Sequence, residues 1–195
     1  MPTNAVTFYY DLGSPYAYLT ADRIDEQVDT SIDVEWMPVL LGGIFRATGR
    51  SSWAETAKRG DGIAEIAQRA AAYGIPELHY PEPWPNNGLT AMRVATWAQS
   101  AGAGRRFARA AFEVQFADGL PLSEAENIEL AAHRAGLDHQ FALESASDPA
   151  VKQALIDNTQ AAIDVGVVGV PSFKVGDEVF WGDDRLVEAV AAASA

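Results

Sequence analysis

Ser14-Pro15-Tyr16 stands where an apolar, β-branched and aromatic run gives way to a helix-forming one, in a chain of 195 residues that has no cysteine. Serine followed by proline reads as the N-cap and first residue of a helix, and capping alone accounts for both residues. The position has a second capacity, because a hydroxyl and the first unpaired backbone N–H groups there face any anion at the helix mouth. A free thiol has a pKa of about 8.5, so only a few per cent of it is thiolate at neutral pH. Bringing that pKa to about 7 takes roughly 2 kcal/mol of preferential anion stabilisation. A helix terminus supplies about 0.3–2 kcal/mol, and a charge-assisted hydrogen bond from Ser14 can supply the remainder. Lacking sulfur nucleophiles, the chain can apply such a site only to a thiol brought from outside, with Ser14 as a donor to sulfur.

Two further stretches carry chemical potential. In Gly166-Val167-Val168-Gly169-Val170-Pro171-Ser172-Phe173 a proline opens a strand after a glycine-flanked turn. Such a proline is ordinary at a strand edge; a cis Val170-Pro171 bond would instead present the Val170 carbonyl and N–H to a peptide-like ligand. Asp183 in Trp181-Gly182-Asp183-Asp184-Arg185 suits the N-cap of a last helix, and the paired carboxylates also suit a ligand ammonium group. They lack the spacing of a metal site, and His79, His133 and His139 are scattered. No serine-hydrolase elbow, phosphate loop or dinucleotide fingerprint is present.

The elements that must position these residues can be read from the pattern. Val6–Tyr10 is a buried strand, Ser14 onward a helix carrying Tyr18, Leu19, Ile24 and Val28, and Ile32–Trp36 an alternating second strand. Together they form a right-handed βαβ unit. Over a hundred residues without strand signal follow. A helix is expected over Ser52–Tyr73, with the stripe Ile63, Ile66, Ala67 and Ala70 and a break at Gly60-Asp61-Gly62. Helices over Leu89–Ser100 and Arg105–Phe116 flank Gly102-Ala103-Gly104, and Ser123-Glu124-Ala125-Glu126 has the form of a capping box. Asp148-Pro149 opens a long helix with Val151, Leu155, Ala162 and Val165 on one face and Gly166 as its stop. A hairpin follows over Pro171–Val175 and Glu178–Trp181, turning at Gly176-Asp177, then a helix over Asp183–Ala193. The expected fold is α/β and thioredoxin-like: residues 1–45 and 166–195 form the βαβ…ββα domain, and residues 46–165 a large all-helical insertion.

Composition narrows the function. A net charge of −13 excludes nucleic acid as a partner. The segment from Trp36 to Gly60 is a positive island, holding Arg46, Arg50, Lys58 and Arg59 against Glu55 alone, and it leaves room for a small anion. No apolar run approaches the ~18–20 residues of a membrane span, and Met1-Pro2-Thr3-Asn4 lacks the basic start of a signal peptide, so cytoplasmic residence is expected.

Taken in order, five motifs resemble the 2-hydroxychromene-2-carboxylate isomerases and kappa-class glutathione transferases, a branch of the DsbA-like thioredoxin-fold group. They are Phe8–Leu19 around Ser14-Pro15-Tyr16, the Pro38–Phe45 turn, Tyr73-Gly74-Ile75-Pro76, Gly169–Phe173, and Phe180–Leu186. The resemblance implies a bound glutathione, or another low-molecular-weight thiol, with its sulfur at Ser14. It further implies that the cysteinyl backbone pairs with Val170 beside a cis Pro171, the γ-glutamyl end meets Asp183 and Asp184, and Lys58 lies near the ligand. Tyr16 and Arg50 are then expected on the side of a small aromatic substrate, and a homodimer is the family's leaning. The implied reaction is isomerisation of an aromatic-degradation intermediate by reversible thiol addition. A glutathione transferase and a non-catalytic thioredoxin-fold binding protein are the alternatives. The chain departs from the family pattern at Gly49-Arg50-Ser51-Ser52 and at Asp61, both in the region where ligand and substrate are expected.

Overall fold

The computed structural model describes residues 5–194; the N-terminal tetrapeptide read above lies outside them. Strand β1 (Ala5–Tyr10) leads into α1 (Pro15–Gln27) and β2 (Asp33–Pro38), which lies parallel to β1. Far along the chain, β3 (Ser172–Val175) pairs antiparallel with β1, and β4 (Glu178–Trp181) with β3, giving the order β2-β1-β3-β4. This is the expected βαβ…ββα arrangement, and the parallel β1–β2 pair is possible because α1 makes the crossover.

Alternation along β1 divides the core. Phe8 and Tyr10 face one side with Trp36 and Phe173, the Phe8 ring edge-on to Trp36 at 4.9 Å and stacked on Phe173 at 5.6 Å. Tyr9 faces the other side with Val39, Ile44, Ala162, Val167 and Val170. Between β2 and β3 run α2 (Leu41–Thr48), a 3₁₀ turn (Trp53–Glu55), α3 (Arg59–Tyr73), α4 (Leu89–Ser100), α5 (Gly104–Phe112) with a π turn after it (Glu113–Ala117), α6 (Ala125–Arg134), α7 (His139–Ser145) and α8 (Pro149–Asp164). The boundary expected at residue 45 falls inside α2. Phe107, Phe112 and Phe116 join the cluster of Phe8 and Tyr10, so the helical segment and the sheet share a core. Arg105 and Arg109 of α5 both pair with Asp25 of α1. Among the described residues no helix is long and apolar enough to cross a membrane.

Several local expectations need correction. The Pro38–Phe45 turn is the end of β2, a two-residue link and the first five residues of α2. The break placed at Gly60-Asp61-Gly62 lies earlier, and those residues belong to the first turn of α3. Hydroxyls explain the shift: Ser52 Oγ accepts from Ala54 N, while Thr56 Oγ1 accepts from Lys58 N and donates to the Trp53 carbonyl, holding a separate turn. Ala67 and Val165, placed on buried stripes, are exposed. The capping box does not form, because Glu124 is the cap residue of α6 and makes no side-chain cap bond. Helix α7, capped by Asp138 Oδ1 accepting from Phe141 N at 3.0 Å, was not foreseen. A 3₁₀ turn (Asp183–Arg185) precedes the last helix, α9 (Leu186–Ala193), and Asp183 is not its N-cap.

Candidate active site

The β1–α1 loop is organised by a carboxylate. Asp11 Oδ1 accepts from Gly13 N and Oδ2 from Leu41 N, both at 2.8 Å, so one side chain joins the Ser14 loop to the start of α2. Ser14 N donates to the Asp11 carbonyl at 3.0 Å. Ser14 is extended (φ −94°, ψ 114°) and caps α1, its Oγ accepting from Ala17 N at 3.3 Å, with Pro15 next. Because that bond uses Oγ as acceptor, the hydroxyl proton remains free to point outward. Ser14 is only 4% exposed, yet it lines an open cleft rather than the core.

The cleft has a volume of about 620 Å³, inside the ~300–1,000 Å³ range of small-molecule sites. Ser14, Tyr16, Val170, Pro171, Asp183 and Asp184 all line it, though more than 150 residues separate the first two from the other four. The Val170-Pro171 bond is cis. Among the described residues neither the N–H nor the carbonyl of Val170 has a protein hydrogen-bond partner, whereas Gly182 N donates to the Pro171 carbonyl at 3.0 Å. Two expected residues lie elsewhere. Lys58 is exposed just ahead of α3 and does not line the cleft. Arg50 sits at the rim, its guanidinium 4.6 Å from the ring centre of Trp181, which does line the cleft.

Asp183 and Asp184 differ sharply. The Asp183 side chain is 1% exposed, bonded by Arg69 Nη1 at 2.6 Å and by the Tyr73 hydroxyl at 2.9 Å. Arg23 donates to its carbonyl, with the guanidinium 3.8 Å from Oδ2. Burial pushes this carboxyl upward, while Tyr73, Arg69 and Arg23 pull it back. Asp184 is 59% exposed, with Arg69 3.6 Å away. The outer carboxylate is the one free to meet a ligand, and the inner one braces the wall behind it.

Reasoning from sequence missed the aromatic wall and the Asp11 tie. Trp53 and Trp84 line the cleft with Tyr16; their ring centres lie 5.6 Å apart, and Trp53 meets Tyr16 edge-on at 6.1 Å. Burial, reinforced by Glu65, pushes the Tyr16 hydroxyl up to about 12, so it stays a neutral donor. The signal for Asp11 was available, since an Asp two residues before Gly at a strand end is a common side-chain turn.

The family model of the DSBA-like thioredoxin domain matches residues 5–192. The chain belongs to this family. Curated relatives named 2-hydroxychromene-2-carboxylate isomerase come from Pseudomonas putida, 26% identical over 93% of this chain and 90% of the relative, and from Sphingobium xenophagum, 26% identical over 94% and 95%. The solved structure of a 2-hydroxychromene-2-carboxylate isomerase superposes with a TM-score of 0.86 at 25% identity, covering 97% of this chain and 94% of that one. A probable DsbA oxidoreductase from Streptomyces coelicolor gives 0.72 at 18% identity, with 97% and 89% covered. Within the DSBA-like family, then, nearly the whole chain aligns with isomerases. The dithiol chemistry of an oxidoreductase needs cysteines, and this sequence has none.

Asp11 yields a stability prediction. Burial pushes its carboxyl above the ordinary 3.8, against the pull of the Leu41 and Gly13 N–H groups. A raised folded-state pKa means that the folded protein holds the proton longer, so ionising Asp11 costs stability as pH rises through that window. Asp11→Ala should lose about 1–3 kcal/mol for each N–H left without an acceptor. Asp11→Asn escapes the ionisation cost, so its deficit against wild type should shrink as pH rises above 3.8. Urea unfolding across that range checks both variants.

Proposed function

We propose that the protein is a glutathione-dependent cis–trans isomerase of an aromatic-degradation intermediate of the 2-hydroxychromene-2-carboxylate type. The observation that carries the reading is the convergence of a free Ser14 hydroxyl proton and the unpaired Val170 backbone on one cleft. Support also comes from the isomerase relatives, which align over nine-tenths or more of each chain.

The residues fit a small peptide thiol. Val170 offers an N–H and a carbonyl in the pattern by which an extended peptide adds to a strand. Asp184 offers a solvated carboxylate to an ammonium group, and Asp183 fixes Arg69 behind it. Arg50 at the rim offers a cation to a carboxylate of the substrate. When bound, glutathione or another low-molecular-weight thiol supplies a thiolate that adds reversibly to the unsaturated side chain and so frees rotation about the former double bond. Ser14 would donate a hydrogen bond, without giving up its proton, to a sulfur held there and so favour the anionic form, helped by the mouth of α1. Tyr16 and the two tryptophans present aromatic faces to the substrate. A cytoplasmic setting suits the reading, because small thiols are kept reduced there.

A thermal-shift titration tests the cofactor. Glutathione at about 100 times its dissociation constant should stabilise the fold by about 2.7 kcal/mol, and the complex should interconvert the chromene and its ring-opened isomer. Stabilisation with conjugation of a model electrophile but no isomerisation would make it a kappa-class-like transferase. Indifference to every small thiol would leave a binding protein.

A further inference from the structure

Trp53 owes its place in the cleft wall to a glycine behind it. Gly62 lies in the first turn of α3, and a Cβ built there would run into the indole, with Cδ2 2.9 Å away and the benzo edge closer still. Tyr16 and Trp84 flank the same indole at 6.1 and 5.6 Å between ring centres. Trp84 is itself pinned, its Nε1 donating to the Gly13 carbonyl at 3.3 Å and its own carbonyl accepting from Arg59. With helix backbone behind the indole and rings beside it, the cleft is the open side toward which Trp53 can move.

We propose that Trp53, Tyr16 and Trp84 form a wall for a flat aromatic carboxylate, and that Gly62 sets how wide a ring that wall admits. The inference rests on reading the cleft as an aromatic-substrate site and adds the residue that limits substrate size. Gly62 does not line the cleft. It is a positioning residue that acts through Trp53. Arg50, stacked on Trp181 at the rim, supplies the cation for the carboxylate.

The helix contains its own control. Gly60, two residues earlier, has nothing within 4 Å of a Cβ. Gly60→Ala and Gly62→Ala therefore make the same change of helix propensity, and only the second meets the indole. The measurement is binding, read by quenching of tryptophan fluorescence with 2-naphthoate and benzoate as probes. Gly62→Ala should weaken 2-naphthoate at least tenfold and benzoate less than threefold, with a shifted emission maximum. Gly60→Ala should match wild type for both. Adding Trp53→Phe to Gly62→Ala should recover most of the 2-naphthoate affinity.

Equal 2-naphthoate affinity in the two alanine variants would overturn the proposal, as would a wild type that binds neither probe. Should Gly62→Ala fail to fold, Trp53→Leu decides: a tenfold loss of 2-naphthoate supports the wall, and unchanged binding overturns it. Failure of the isomerase reading would look different, since 2-naphthoate would still bind while the chromene was not turned over.

Discussion

Ser14→Ala should lower isomerase turnover about 10- to 150-fold, the equivalent of the ~1.5–3 kcal/mol that a hydrogen bond to a charged group contributes. The same change removes a helix cap, which costs about 0.5–2 kcal/mol of stability. Two companion variants separate these effects. Ser14→Gly should lose as much turnover with only a few tenths of a kcal/mol of stability, since glycine is a tolerated cap. Ser14→Asp should keep the bond from Ala17 N and abolish activity, because an ionised carboxylate offers sulfur no proton and repels its charge. Turnover that tracked stability across the three variants would mean that Ser14 only caps α1.

Asp183→Ala should be among the most destabilising single changes in the chain. The carboxylate ties its own turn to two helices: Arg69 and Tyr73 of α3 bond it directly, and the Arg23 guanidinium of α1 lies 3.8 Å from Oδ2. Removing one partner of a buried ion pair costs about 3–5 kcal/mol, because the other charge is left without compensation. In a domain of this size 1 kcal/mol lowers the melting temperature by about 2–4 °C, so a fall of roughly 6–20 °C is expected. Asp184→Ala, at a site 59% exposed, should stay within about 0.5 kcal/mol of wild type while weakening a thiol that carries an ammonium group. Comparing the melting curves of the two variants, with and without glutathione, checks both statements. Equal melting temperatures would refute the bracing role of Asp183.

These contrasts show what was readable in the chain and what was not. Ser14-Pro15, the hairpin over 171–181 and the Asp148-Pro149 helix start rest on local rules, capping and turn geometry, and they form as read. The capping box at Ser123 obeys the same local rule yet does not form; Asn127 donates instead to the Pro121 carbonyl and Gln115 accepts from Leu122 N, so tertiary contacts set that turn. Asp183 looked like an N-cap because its neighbours in sequence allow it. Its actual partners lie 110 to 160 residues away, where periodicity gives no signal. Lys58 shows the converse. Its place near the ligand was what the family resemblance implied, and the hydroxyl-held turn before α3 leaves it outside the cleft lining. Trp53 and Gly62 are nine residues apart, but only the packed 3₁₀ turn reveals that one makes room for the other.

The most direct test of the site is a pH titration of the ultraviolet thiolate band of glutathione bound to the wild-type protein. With Ser14 and the mouth of α1 acting on sulfur, half of the bound thiol should be ionised at a pH of about 7 or below, against about 8.5 for a free thiol. A bound thiol that ionises no more readily than the free one would contradict the account.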